Sequence, residues 1–219
     1  MQARQRGFSL VSVMVGLVIS LLAVADNGIY AWLPRLLSRS YALAPGEIGI
    51  ALGVIVAIGG LVGGPVGGNL SDYFSRRSGA AGPLLVVLLG TVAAACVLPL
   101  YATGSLWLVY AATWLWVIAL VSTTASAYTF IAVAAPARLR GVASSAVASV
   151  SSLIGLGLGP TVIALALEQF AFSRERVDLA IIVAALPLCA AALCLATAVW
   201  RINRRSPLGL VPAPGKATE

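Results

Sequence analysis

The chain has 219 residues, 60% of them hydrophobic and 10% charged, and a mean hydropathy of +1.01. That balance excludes an ordinary soluble domain, in which roughly a quarter of residues are charged, and the charges stand in small clusters between long apolar runs, as in integral membrane proteins. The net charge of +7 does not point to nucleic acid, because the arginines are spread in pairs with no basic face to follow a phosphate track, and the lack of histidine removes His-based metal sites and Ser-His-Asp triads.

Six apolar segments are expected to cross the bilayer, each near the ~20 residues this requires: 8–31, 48–70, 83–101, 106–134, 141–167 and 179–200. They are joined by short connections, so sequence neighbours run antiparallel. Residues 1–7 form a basic flank, and 201–219, with three prolines and two glycines, read as a disordered tail.

The first segment opens with RGFSLVSVMVGLVISLL, from Arg6. This resembles the leader junction of type IV prepilins, where a peptidase cuts after the Gly of a GF[ST]L motif. The fifth residue beyond the cut is normally Glu there and is Ser12 here, and the chain continues into five more apolar segments, not a soluble β-rich domain. The segment therefore reads as a first membrane helix with a basic flank. It holds Asp26, the only acid well inside a span, followed by Asn27, Tyr30 and Trp32. An ionisable group at mid-membrane costs about 2.5–3.5 kcal/mol and calls for a functional reason. Arg35 and Arg39 are expected in the loop that follows.

The second segment is crowded with glycine. Gly60, Gly64 and Gly68 form one row at helical spacing, and Gly59, Gly63 and Gly67 form the adjacent row. In lipid, helices associate through close approach of small residues, so this segment is expected to offer a packing face, bent at Pro65. The fifth segment carries a matching device in LIGLGLGP, with Gly155, Gly159 and Pro160. The fourth segment supplies aromatic and hydroxyl side chains, of which Tyr110 and Trp114, four apart, share a helix face. Cys96, Cys189 and Cys194 lie inside apolar runs and read as small buried hydrophobes.

After the second segment comes GGNLSDYFSRR, from Gly67. It resembles the loop signature of the major facilitator superfamily, G-x-L-[AS]-D-[RK]-x-G-R-[RK], with Gly68, Leu70, Ser71, Asp72, Arg76 and Arg77 matching. Tyr73 and Ser75 depart from the pattern. The stretches 30–53 and 136–160 are similar to the seventh-to-eighth and tenth-to-eleventh helix regions of spinster-like and organic-anion-type members. The resemblance covers about 29–200. It implies an all-α integral membrane fold of six transmembrane helices, helices seven to twelve of a twelve-helix carrier. It implies secondary transport of a small organic solute by alternating access, with a second six-helix half as partner, either an N-terminal half or a parallel homodimer. A truncated, non-transporting membrane partner is the alternative. It also makes the first and fourth segments cavity-lining, so Asp26, Asn27, Tyr30, Tyr110 and Trp114 are expected to face a substrate or proton cavity. No enzyme chemistry, cofactor or metal is expected, and no P-loop occurs.

Ten of the fourteen basic residues, among them Arg4, Arg6, Arg76, Arg77, Arg138 and Arg140, fall on the side of the two termini, and four fall on the other. The positive-inside rule then places both termini in the cytoplasm of a multi-pass inner-membrane protein. Asp72, Arg76, Arg77, Arg138 and Arg140 are thus expected at a cytoplasmic gate, with Asp72 pairing most naturally with Arg140.

Overall fold

The computed structural model is helical through nearly all of its described residues, which are 2–78, 82–134, 137–169, 179–183, 185, 189–190, 192–193, 196–197 and 200. The chain forms α1 (Gln2–Tyr41), α2 (Pro45–Ser78), α3 (Gly82–Val97), α4 (Leu106–Ala134) and α5 (Arg140–Gln169). A 3-10 turn, Leu98–Ala102, prolongs α3, and another, Ala137–Leu139, leads into α5. Each of these five helices holds a stretch long and apolar enough to cross a membrane, which makes the protein a multi-pass membrane protein. The sixth expected segment, 179–200, is described in part. Its described residues are helical, and Ala180, Ile181, Ala185, Cys189, Ala192 and Ala196 are buried, spaced as one face of a helix is. Cys194 and the expected tail 201–219 lie outside the described residues.

The first helix runs ten residues past its expected end at residue 31. Leu33, Leu36 and Leu37 are 0–2% exposed, so packing carries the helix beyond the unbroken apolar run, and Pro34 sits on an exposed side within it. Arg35 and Arg39 consequently stand on the last turns of α1 and not in a loop. The joint that follows is only Ala42–Ala44. Ala42 ends α1 at φ +52°, in the left-handed region that usually takes glycine. Local chemistry then starts α2: Pro45 occupies the first helical position, and Glu47 reaches back to accept the Ala44 backbone N–H at 3.1 Å, half of a capping box.

Two helices carry the core. α1 buries Val15, Val18, Ile19, Leu22, Ala25, Ile29, Leu33 and Leu36, three or four residues apart along one stripe. α4 buries Val109, Ala112, Thr113, Trp116, Leu120, Thr123, Ala127 and Phe130. α5 packs chiefly on α1, α2 and α3 pack chiefly on α4, and α1 meets α4 between them. The seams are made where backbones approach closely. At α1–α5, a Cβ on Gly28 would lie 2.8 Å from the Gly159 carbonyl oxygen, and one on Gly159 would lie 2.7 Å from the Gly28 nitrogen.

At α2–α4 the packing row is Gly59, Gly63 and Gly67. A Cβ there would meet Val117 at 2.8 Å, Val121 at 2.9 Å and the Ser122 backbone at 2.6 Å. Hydroxyls stitch this seam: Ser122 donates to the Gly63 carbonyl at 2.8 Å, Ser126 to the Gly67 carbonyl at 3.3 Å, and Ser71 to Ser126 at 2.8 Å. Gly60, Gly64 and Gly68, one residue round the helix, have nothing within 4 Å of a Cβ. The expectation that Gly60 and Gly64 pack helices is therefore corrected within this chain: a step of one residue turns a side chain about 100°, which carries their row off the α4 seam. α2 is accordingly the least covered helix, 17% buried through its apolar window against 50% for α1 and α4.

Candidate functional site

α1, α4 and α5 line a half-open cavity of about 220 Å³ beside their crossing. Its wall on α1 is Ile19, Leu22, Ala23, Asp26 and Asn27. Leu120, Val121, Thr124 and Tyr128 face it from α4, and Ser151 and Ser152 from α5. The glycine seam positions the polar part. A Cβ on Gly155 would come within 2.8 Å of the Asn27 amide nitrogen and the Ala23 carbonyl oxygen, so only glycine on α5 leaves room for the Asn27 side chain. Asn27 in turn donates to the Ala23 carbonyl at 2.8 Å. Above the glycine crossing, Trp32 donates its indole N–H to the Pro160 carbonyl at 3.1 Å, and the Arg35 guanidinium lies 5.1 Å from the Trp32 ring centroid. Below it, the Ser20 and Ser151 hydroxyls meet at 3.1 Å.

Asp26 is held by a residue that the sequence reading passed over. The indole of Trp116, itself fully buried, donates to Asp26 Oδ1 at 3.0 Å. Tyr30 and Tyr101 lie within electrostatic reach of the same carboxyl, and Tyr101 donates to Thr113 at 3.3 Å. Among the described residues, Asp26 has no basic partner. Its one strong contact is a neutral N–H, an unusual state for a carboxyl so far inside a span.

The five expected cavity residues are not brought together. Asp26 and Asn27 share the cavity wall. Tyr30 stands a turn away, half-buried, outside the lining. Tyr110 lies fourteen residues before Thr124 on α4, about 21 Å along the axis at 1.5 Å per residue, and makes an edge-to-face contact with Trp107 at 6.4 Å. Trp107 is 80% exposed. Trp114 faces outward beside Gly59 of α2. Tyr110 and Trp114 do share a face, and Trp116, two residues on, points to nearly the opposite side. Thr124 and Tyr128 lie further along α4, on the cavity wall. One signal was available to find Trp116. It falls on the same stripe as Thr113, Leu120 and Thr123, the residues α4 buries.

The signature stretch is not a loop but the last turns of α2, which runs to Ser78, and it is anchored from one side. Ser71 is buried against Ser126, whereas Asp72, Arg76 and Arg77 are exposed. Arg77 stacks its guanidinium 4.9 Å from the Tyr73 ring centroid, so the residue that departs from the family pattern gives a cation a platform. Arg138 and Arg140 are exposed at the start of α5. Asp72 and Arg140 lie on α2 and α5, which share no extensive packed interface.

Comparison with known proteins gives two kinds of match. Residues 2–25 match the family described as the prokaryotic N-terminal methylation motif, a local match to the leader region. None of the curated protein sequences compared matches the chain. The fold matches solved structures of a bacterial homologue of the human lysosomal transporter Spinster. In its inward-facing, unoccupied conformation the TM-score is 0.60 at 20% identity, covering 98% of this chain and 52% of that one. In its inward-facing, occupied conformation the TM-score is 0.58 at 20% identity, covering 94% and 51%. The chain thus spans about half the length of the transporters it resembles, and its fold is similar to that of a spinster-like member of the major facilitator superfamily.

Proposed function

We propose that the chain works as one six-helix half of a secondary transporter, corresponding to helices seven to twelve of a spinster-like carrier. In this reading it moves a small organic solute by alternating access, in the inner membrane, with both termini in the cytoplasm. The observation that carries it is the cavity at Asp26 and Asn27, walled by α1, α4 and α5 within a fold shared with solved transporters. A buried carboxyl is expensive in a membrane, and a solute or proton that must be captured and released gives it a use.

The second half is part of the reading. In lipid, a row of exposed glycines is a surface on which another helix can lie closely. Gly60, Gly64 and Gly68, with Gly49 and Gly53 a few turns earlier, present such a row with open space above each. An N-terminal half or a parallel second copy is the proposed occupant. Asp72 pairing with Arg140 is proposed as part of a cytoplasmic latch that rearranges between the two access states. It has to be small: an exposed ion pair is worth about 0–1 kcal/mol, enough to bias states a few kcal/mol apart. The half-length match also favours a second reading, a non-transporting membrane partner of such a carrier.

The test is thiol labelling of Asn27→Cys in proteoliposomes, combined with solute flux across the same vesicles. Transport predicts flux together with labelling that substrate slows. A partner without transport predicts labelling indifferent to every solute and no flux.

A further inference from the structure

We propose that the Asp26 cavity receives an organic ammonium, a primary or secondary amine carrying its proton. The proposal rests on reading that cavity as the solute site. It comes from counting which polar atoms the cavity has already used. One of the two Asn27 amide N–H groups is spent on the Ala23 carbonyl. The Thr124 hydroxyl donates to the Leu120 carbonyl at 2.9 Å and the Val121 carbonyl at 3.1 Å. The Ser151 hydroxyl is engaged with Ser20. Several donors on the wall are thus already engaged within the protein; the Tyr128 and Ser152 hydroxyls and the second Asn27 N–H remain beside the one charged group of the lining, the Asp26 carboxyl. The Asn27 amide oxygen has no partner among the described residues, and neither does the second oxygen of Asp26, whose Oδ1 alone takes the Trp116 N–H. Thr124 keeps its lone pairs.

A carboxylate with further oxygen acceptors and no basic neighbour is complementary to a ligand that brings positive charge and N–H donors together. An anionic solute would find a like charge there. The cavity size separates an amine from a bare ion: 220 Å³ is several times the ~30 Å³ share of one water. The apolar part of the wall, Ile19, Leu22, Leu120 and Val121, gives the carbon body of an amine somewhere to lie. Trp116 is a positioning residue here. It holds one carboxyl oxygen so that the other meets the ligand.

The experiment is calorimetric titration of the full chain, purified in detergent, with three probes of one shape: phenethylamine, 2-phenylethanol and phenylacetate. The expected result is amine binding about tenfold or more tighter than the alcohol, with phenylacetate weakest. Asp26→Asn should abolish the preference, Asp26→Glu should keep it, and Trp116→Phe should reduce it several-fold. Equal binding of amine and alcohol, tighter binding of phenylacetate, or binding of no probe would overturn the proposal. Sodium binding without amine binding would overturn it in favour of a bare-ion site. The comparison of probes on the unaltered chain decides the matter even where a variant fails to fold. Flux of the same probes in proteoliposomes separates the two readings. Amine bound but not moved leaves the ammonium site standing without transport. A neutral or anionic solute moved equally by the Asp26→Asn variant leaves transport standing without the ammonium site.

Discussion

Two glycines on α2, three residues apart, should respond oppositely to the same substitution. A methyl group on Gly67 would lie 2.6 Å from the Ser122 Cα and carbonyl oxygen and 3.0 Å from its carbonyl carbon. These are backbone atoms, so no side chain can swing away. α4 would have to retreat by about 0.8 Å to restore an ordinary contact of 3.4 Å, and close-packed interiors resist such shifts. Overpacking of this kind costs about 1–3 kcal/mol. The retreat also stretches the hydroxyl contacts Ser126–Gly67 at 3.3 Å and Ser71–Ser126 at 2.8 Å, each worth about 0.6 kcal/mol on average within membranes. Gly67→Ala should therefore destabilise by about 2–4 kcal/mol, lowering Tm by about 5–10 °C for a chain of this size. Gly64→Ala meets open space and gains helix propensity of up to about 1 kcal/mol, so its Tm should hold or rise slightly. Thermal unfolding of both variants in one detergent, followed by monodispersity on size exclusion, reads the difference. Equal losses in the two variants, or a harmless Gly67→Ala, would refute the claim that α2 packs on α4 through the Gly59–Gly63–Gly67 row.

Further expectations follow from the same geometry. Gly64→Leu should leave the unfolding temperature of the isolated chain nearly unchanged and weaken its association with a second half, measured by cross-linking in native membranes; loss of the fold itself would argue against an outward role for that row. Asp72→Asn should shift the balance of inward- and outward-open states, measured as a change in the sidedness of cysteine labelling, and an unchanged balance would remove the latch. Ser126→Ala should cost about 1–2 kcal/mol, the two seam contacts it removes being worth about 0.6 kcal/mol each, because Ser122 still holds α4 to the Gly63 carbonyl at 2.8 Å, and a loss above about 3 kcal/mol would show that the hydroxyl seam was undervalued.

Much of the fold was legible because membrane spans announce themselves by length and hydropathy alone. Five spans were found where helices are observed, although α1 and α2 run ten and eight residues past their expected ends, and the signature around Asp72 pointed to the fold that the solved transporters share. The end of α1 was not legible. What carries it to Tyr41 is the burial of Leu33, Leu36 and Leu37, a tertiary effect across a proline and two arginines that would ordinarily mark a loop. The choice between adjacent glycine rows was not legible either, because both rows have the same spacing and only the position of α4 distinguishes them. At the cavity, Asp26 stood out as a lone acid in an apolar run, and Asn27 came with it. The partners across the cavity did not, since α4 has aromatic or hydroxyl residues on nearly every face and its composition sets no phase. Trp116 shares a stripe with Thr113, Leu120 and Thr123, but only the position of Asp26 on α1 gives that stripe its meaning.

The hydroxyls of α4 bear on how the chain is made. Thr113, Thr123, Thr124, Ser126 and Thr129 each donate to a carbonyl three or four residues earlier on their own helix. A helix that satisfies its polar groups internally can leave the translocon for lipid without waiting for a neighbour. Asp26 has no such internal answer: its partner is on α4, ninety residues later in synthesis. While the chain is still emerging, α1 must stay in a wet or sheltered place, or enter lipid with its carboxyl protonated, until α4 arrives. The Asp26–Trp116 contact therefore closes only after α4 has been made.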